Sequence, residues 1–147
     1  MSKYKQGVFI PQKPEKWYSS QIVYRSSWEL VYMKWADKNP NVTKIASEEI
    51  VIPYYYHIDN KMHRYFPDFI MEFKDKNDNV QTVLVEIKPY KECIAPKKGR
   101  KKEQTYINEV LTYEKNMAKW AAAKAWCQDR NMKFVVLTEY ELGIKKK

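Results

Sequence analysis

The chain has 147 residues, with 44% hydrophobic and 31% charged side chains, which suits one domain with a single core and excludes a wholly disordered or membrane-embedded protein. Lysine and arginine number 27 against 18 acids, a formal net charge of +9 that makes a polyanion the first partner to expect. Three glycines are too few for a phosphate-cradling loop, and two cysteines give no zinc spacing and point to a reducing compartment. No stretch of about 18 apolar residues occurs, and none follows Lys3 and Lys5, so the sequence reads as cytoplasmic, with no membrane span and no nucleotide cofactor.

Residues 1–20 contain Pro11, Pro14 and scattered lysines without periodicity. They read as an extended arm laid on the domain by Phe9, Ile10, Trp17 and Tyr18. Residues 21–144 read as one domain with a basic loop at 91–102, and residues 145–147 as a basic tail. A helix is expected from Ser26, because Trp28, Val31, Tyr32 and Trp35 recur at helical spacing until Asn39-Pro40. Glu49–Tyr56, rich in Ile, Val and Tyr, is expected to be a strand despite Pro53.

Asp68–Phe73 and Thr82–Lys88 are strand-like, and Asn77-Asp78-Asn79 between them is a turn cluster, so the two should form an antiparallel hairpin. Centring the turn there makes paired numbers sum to about 155, which sets Asp68 opposite residue 87, within one position. A helix from Glu103 to Arg130 follows, with Ile107, Val110, Leu111, Met117, Ala118, Ala121, Ala122 and Ala125 as its apolar stripe, interrupted by Glu114. Lys133–Thr138 closes the domain as a short buried strand, parallel to a hairpin strand because a helix precedes it. The expected class is α/β: helix, three strands, helix, strand.

Side chains alternate along a strand, so Glu86 and Lys88 share a face, roughly 6.5–7 Å apart, while Val83, Val85 and Ile87 point the other way. The hairpin brings Asp68 to the same end. Two carboxylates, one ammonium and the backbone carbonyl of Ile87 then converge, an all-oxygen donor set that suits Mg2+ or Mn2+. Metal-assisted phosphodiester hydrolysis needs this set: the ion draws charge from a phosphate oxygen and acidifies a bound water, while Lys88 orients the hydroxide or neutralises developing charge. A solvated strand face with a cross-strand ion pair accounts for the same residue types.

Pro67-Asp68, a 17-residue interval and Glu86-Ile87-Lys88 resemble the active-site signature of the PD-(D/E)xK nuclease superfamily. That resemblance implies a restriction-endonuclease-like α-β-β-β-α-β core, a mixed sheet flanked by helices, with Asp68 and Glu86 as metal ligands and Lys88 as the catalytic cation. The superfamily often adds an acid from its first helix, and Glu29 in Tyr24-Arg25-Ser26-Ser27-Trp28-Glu29 matches that position. Ser26-x-x-Glu29 is also a capping box, which places Glu29 at a helix start without any metal.

Further segments widen the likeness: Gly7-Val8-Phe9-Ile10-Pro11 with Pro14-Glu15-Lys16-Trp17, Ile52-Pro53-Tyr54, and His63-Arg64-Tyr65-Phe66-Pro67-Asp68-Phe69 running on to Glu86-Ile87-Lys88-Pro89. With the Tyr24–Glu29 segment they resemble the head completion nucleases of large contractile-tailed phages and, more loosely, the end-cleaving nuclease subunit of a bacterial transposition system. The resemblance implies a magnesium-dependent DNA nuclease acting late in virion assembly, in the cytoplasm of the infected cell or on the virion, with double-stranded DNA as substrate and phage head or neck proteins as partners. A non-catalytic DNA-binding or head–tail connector protein, and a transposition or junction-resolving nuclease, are the alternatives on the same fold.

Arg64 is placed to hold a phosphate, and His63 to contact a metal-bound water or DNA or else to pack in the hairpin. Arg25 and Lys119 are phosphate-binding candidates or solvated charges. Lys97, Lys98, Arg100, Lys101 and Lys102 form either a loop that grips the DNA backbone and orders on binding or a flexible solubilising loop. Tyr54, Tyr55 and Tyr56 can stack on frayed bases or pack as a strand end. Residues 91–102 carry a net +5 and Lys145–Lys147 a further +3, which leaves +1 for the rest. The basic balance therefore sits in two segments, and with no base-reading motif weak sequence preference is expected.

Overall fold

The computed structural model describes residues 6–146. Lys147 and the first five residues of the expected arm, Lys3 and Lys5 among them, lie outside the described residues. In chain order the elements are β1 (Gly7–Phe9), a 3-10 turn at Pro14–Lys16, β2 (Ile22–Tyr24), α1 (Ser27–Lys38), β3 (Val42–Ser47), β4 (Ile52–Tyr56), β5 (Lys61–Tyr65), β6 (Phe69–Lys74), β7 (Val80–Ile87), a 3-10 turn at Tyr90–Glu92, α2 (Glu103–Asp129) and β8 (Lys133–Leu137).

A four-stranded mixed sheet ordered β3-β6-β7-β8 organises the domain; β6 is antiparallel to both neighbours and β7 is parallel to β8. The two central strands are joined by a turn that Asp75 holds together. Its Oδ1 accepts the Asn77 and Asn79 N–H groups and its Oδ2 the Gln81 amide, while Asp78 takes a left-handed φ of 63°. Phe69 faces Val85 and Ile70 faces Leu84, so paired numbers sum to 154, one less than the sequence arithmetic and within its tolerance.

Alternation along β7 divides the interior. Val83, Val85 and Ile87 join Tyr32, Met33 and Ala36 of α1 with Val42, Ile45, Phe69 and Met71 in one core. Leu84, on the other face, packs with Trp120, Ala123 and Cys127 of α2 and with Ile52, Tyr54, Tyr56 and Tyr65. Glu86 lies in step with Leu84 and so opens toward α2.

The first strand of the sheet is Val42–Ser47, not the expected Glu49–Tyr56. A bulge between Val42 and Lys44 breaks its alternation, which hides it from a period-two reading. Ile52–Tyr56 instead pairs with β5 in a separate hairpin, Ile52, Tyr54 and Tyr56 turned inward and Tyr55 outward. A two-stranded ribbon tolerates Pro53 because every strand in it is an edge.

Both helices sit rotated from their expected stripes. α1 buries Tyr32, Met33, Ala36 and Asp37 while Val31 and Trp35 are exposed, and α2 buries Asn116, Trp120, Ala123 and Cys127 while Ile107 and Leu111 are exposed. Polar groups on the buried faces displaced both apolar counts. Of the four arm anchors, Phe9 and Trp17 are buried and Ile10 and Tyr18 are exposed.

The segment before β2 is clamped to the end of α1. Lys16 Nζ donates to the carbonyls of Ala36, Asp37 and Asn39 at 3.0, 2.9 and 2.6 Å, satisfying acceptors that a helix C-terminus leaves open. Asp37 in turn accepts the N–H groups of Gln12 and Lys13 and the Trp17 indole. Burial alone would push the Asp37 carboxyl up, but these donors outweigh it and hold it below the usual range.

Candidate active site

β6 and β7 end side by side, and their register places Asp68, just before β6, opposite Glu86. Asp68 Oδ2 accepts the Ile87 N–H at 2.7 Å, which ties the carboxylate to the neighbouring strand. Glu86 is 5% exposed; its Oε1 accepts the Tyr65 hydroxyl at 2.6 Å and its Oε2 lies 3.5 Å from Lys88 Nζ. Lys88 is held beyond the end of β7 by its own N–H, which donates to the Leu137 carbonyl of β8. Asp68, Glu86, Ile87 and Lys88 therefore meet at one end of the sheet, the site residues that hairpin and alternation place together.

Burial pushes the Asp68 carboxyl well above the usual carboxylate range, and the negative charges of Glu86 and Glu29 add to the push. Burial also raises Glu86, against the opposing pull of the Lys88 ammonium and the Tyr65 hydroxyl. Such facing oxygens stay ionised together only when a cation offsets their repulsion.

Glu29 lies in the first turn of α1, and burial raises its carboxyl as well. Ser26 Oγ accepts the Glu29 N–H at 3.1 Å, as the capping box expects. The return bond differs from that motif: Glu29 Oε1 accepts the N–H of Arg25 rather than that of Ser26. The side chain is thereby held at the β2–α1 junction, within electrostatic reach of Asp68 and Glu86.

Two participants escaped the sequence reading. Tyr65 is 4% exposed and projects from β5 to Glu86; the inward phase of that strand is its only signal. Glu48 follows β3 with a left-handed φ of 53°, donates its N–H to the Asp68 carbonyl at 3.0 Å and forms an ion pair with Arg25. A non-glycine residue in that conformation at a site is the kind of strain that flanking structure must enforce. No periodicity announces it.

Of the two roles open to His63, the contacts in the free protein are those of the hairpin. His63 pairs with Asp59 at 2.7 Å and stacks on Tyr54, so it serves the β4–β5 hairpin. Arg64 is exposed, its guanidinium 5.9 Å above the Phe66 ring. The basic loop is already folded as a turn, with Lys101 bonded to Glu109 at 2.6 Å and Lys98 3.8 Å from Glu103. Lys97, Arg100 and Lys102 are exposed beside them. A cavity of about 680 Å³ lies between this loop and α2, lined by Lys91, Lys97, Lys101, Asn108 and Thr112. Lys119 is half-buried on α2, 5.7 Å over the Tyr65 ring, and burial together with Lys88 lowers its affinity for a proton.

The comparisons bear on this geometry directly. TnsA-like endonuclease N-terminal domains match residues 39–139, from before β3 to just past β8. The chain belongs to that family. It shares the restriction-endonuclease-like fold of these TnsA-like domains, with core elements in the chain order α1, β3, β6, β7, α2, β8 and the β4–β5 hairpin inserted after the first strand. The head completion nuclease of Enterobacteria phage T4 is 36% identical over 139 residues, 90% of each chain. Asp68, Glu86 and Lys88 lie inside the TnsA-like match, and Glu29 lies before it.

Among the described residues no three His, Cys, Asp or Glu side chains gather as a ready-made metal cage. Magnesium ordinarily keeps several waters and takes only one or two carboxylates from a protein. Glu86, buried, and Asp68, half-buried and facing it, offer two oxygen-donor side chains.

Proposed function

We propose that this protein is a magnesium-dependent deoxyribonuclease of low sequence specificity that trims or cuts DNA during phage head completion and head–tail joining. The single observation that carries the reading is the meeting of Asp68 and Glu86 across two ladder-paired strands, with Lys88 against Glu86, in a chain of an endonuclease family. The name of the T4 relative supports the place in assembly. The work would be done in the cytoplasm of the infected cell or on the virion, beside head or neck proteins.

In this reading Asp68, Glu86 and the Ile87 carbonyl hold Mg2+, or Mn2+ in its place, with Glu29 completing the acidic side. When bound, the ion supplies charge to a non-bridging phosphate oxygen and lowers the pKa of a water. Ile87 N–H fixes the Asp68 carboxylate, Tyr65 fixes Glu86, and Lys88 orients the attacking oxygen and offsets charge that builds on the phosphate. Arg25, Arg64 and the basic loop would hold backbone phosphates outside this centre, contacts that position DNA without reading its bases.

Incubation of supercoiled plasmid with purified protein tests the proposal. Nicking or degradation that requires Mg2+ and disappears in Glu86→Ala is the expected result. A wild-type protein that leaves the plasmid intact with Mg2+ and with Mn2+ would refute it and favour a non-catalytic DNA-binding or connector role. Cutting confined to branched DNA or to defined ends would assign the same chemistry to a narrower substrate.

A further inference from the structure

In-line displacement at phosphorus needs help at two places, because the attacking and leaving oxygens stand on opposite sides of the reacting atom. Lys88 comes from the end of β7 and touches Glu86. A second ammonium lies within electrostatic reach of the same carboxylate from another layer. Lys119 sits on α2, its Nζ over the ring of Tyr65, the residue whose hydroxyl holds Glu86. No carboxylate lies within ion-pair distance of Lys119 among the described residues, and burial with the nearby Lys88 charge favours release of its proton.

An adjoining side chain of α2 carries an unused donor too. Asn116 is 4% exposed and its Nδ2 has no acceptor among the described residues, whereas the neighbouring Trp120 indole interacts with the Tyr65 hydroxyl. One helix segment thus brings an ammonium within electrostatic reach of the carboxylate site beside a buried N–H donor without an acceptor. Such donors stay unpaired in the free protein when their acceptor arrives with a ligand.

We propose that Lys119 is the proton donor to the leaving oxygen of the scissile phosphodiester. The step rests on the nuclease reading above. The oxygen of the attacking hydroxide forms a bond to phosphorus, the bond from phosphorus to the leaving bridging oxygen breaks, and its electron pair remains on that oxygen. The oxygen takes a proton from Lys119 Nζ, and the neutral amine regains one from water. Lys88 remains with the attacking side, so the two lysines divide the displacement between them.

The experiment uses the full chain, Mg2+ and a short duplex, with product ends first mapped to learn which bridging oxygen leaves. A second duplex carries sulfur at that bridging position, and a thiolate departs without a proton. Lys119→Arg keeps the positive charge but cannot give up a proton at ordinary pH. On ordinary DNA, Lys119→Arg and Lys119→Met are expected to lower kcat roughly 100-fold or more, in the range general acids contribute, while KM for Lys119→Arg stays near wild type. On the sulfur-bridged duplex both variants should recover to within about threefold of wild type, the loss having been confined to proton delivery. Equal impairment on both duplexes, or full activity of Lys119→Arg on ordinary DNA, would overturn the donor role and leave the nuclease reading intact. A wild-type protein that cuts neither duplex would remove that reading, and the donor with it.

Discussion

Tyr65 Oη lies 2.6 Å from Glu86 Oε1, so a phenol from the inserted hairpin fixes a carboxylate on the central strand of the sheet. Its hydroxyl donates to the charged form and therefore holds the Glu86 carboxyl down against burial. Tyr65→Phe removes that hold. Plasmid cleavage should fall roughly 10–100-fold, the usual cost of losing a group that orients a ligand, and the acid limb of the rate–pH profile should move to higher pH. A Tyr65→Phe protein with wild-type rate and profile would show that Glu86 is positioned by something else.

Asp68 connects activity to stability with opposite signs. Its carboxyl is raised in the fold, so the native state holds a proton that the unfolded chain has already lost. Metal-free protein should therefore lose stability as pH rises from the ordinary carboxylate range through the raised pKa of Asp68. Asp68→Asn, which keeps an oxygen for the Ile87 N–H, should abolish cleavage yet raise the melting temperature at neutral pH in EDTA by about 3–6 °C per kcal/mol relieved. Millimolar Mg2+ should raise the melting temperature of wild type at pH 8 and leave that of Asp68→Asn unchanged. An Asp68→Asn variant that melts lower than wild type in EDTA would contradict the repulsion argument.

The lysine that closes α1 governs stability rather than chemistry. Lys16→Met leaves two buried carbonyl acceptors and one half-buried one without their donor and should cost about 2–3 kcal/mol, measured by urea unfolding. Cleavage per folded molecule at low temperature should be within a factor of two of wild type, a result that a direct role of this segment in catalysis would not give.

Charge on the loop before α2 predicts a salt effect. Lys101 and Lys98 are committed to Glu109 and Glu103, whereas Lys97, Arg100 and Lys102 extend beside them. Replacing those three by Gln should weaken DNA binding at 100 mM salt and flatten the plot of log K against log salt by about 2.7, given a slope near 0.9 for each phosphate contact. Saturating DNA should restore kcat, because the substituted residues lie outside the carboxylate centre. An unchanged slope would mean that the loop never meets the backbone.

How much the sequence disclosed follows from how each feature is encoded. The convergence of Asp68, Glu86 and Lys88 is legible because hairpin register and strand alternation are short-range and periodic, and the observed register lies within the one-position tolerance of the expected one. The strand at Val42–Ser47 was not, because its bulge removes the period that marks a strand. The buried faces of α1 and α2 were misjudged because Asp37 and Asn116, polar by composition, lie inside with their apolar neighbours. Tyr65 and Glu48 reach the site only through the insertion of one hairpin and a left-handed residue, and neither is written in local pattern.

The turn around Asp75 never approaches the carboxylates, yet it sets the distance scale of the site. Six ladder pairs, from Lys74 with Val80 to Phe69 with Val85, transmit its geometry to Asp68 and Glu86. A slip of one strand by a single position would turn Glu86 from the α2 side to the α1 side and separate the two carboxylates. A solvent-exposed turn about 20 Å from the reaction, six strand residues away, thus starts the ladder that keeps the two acids in step.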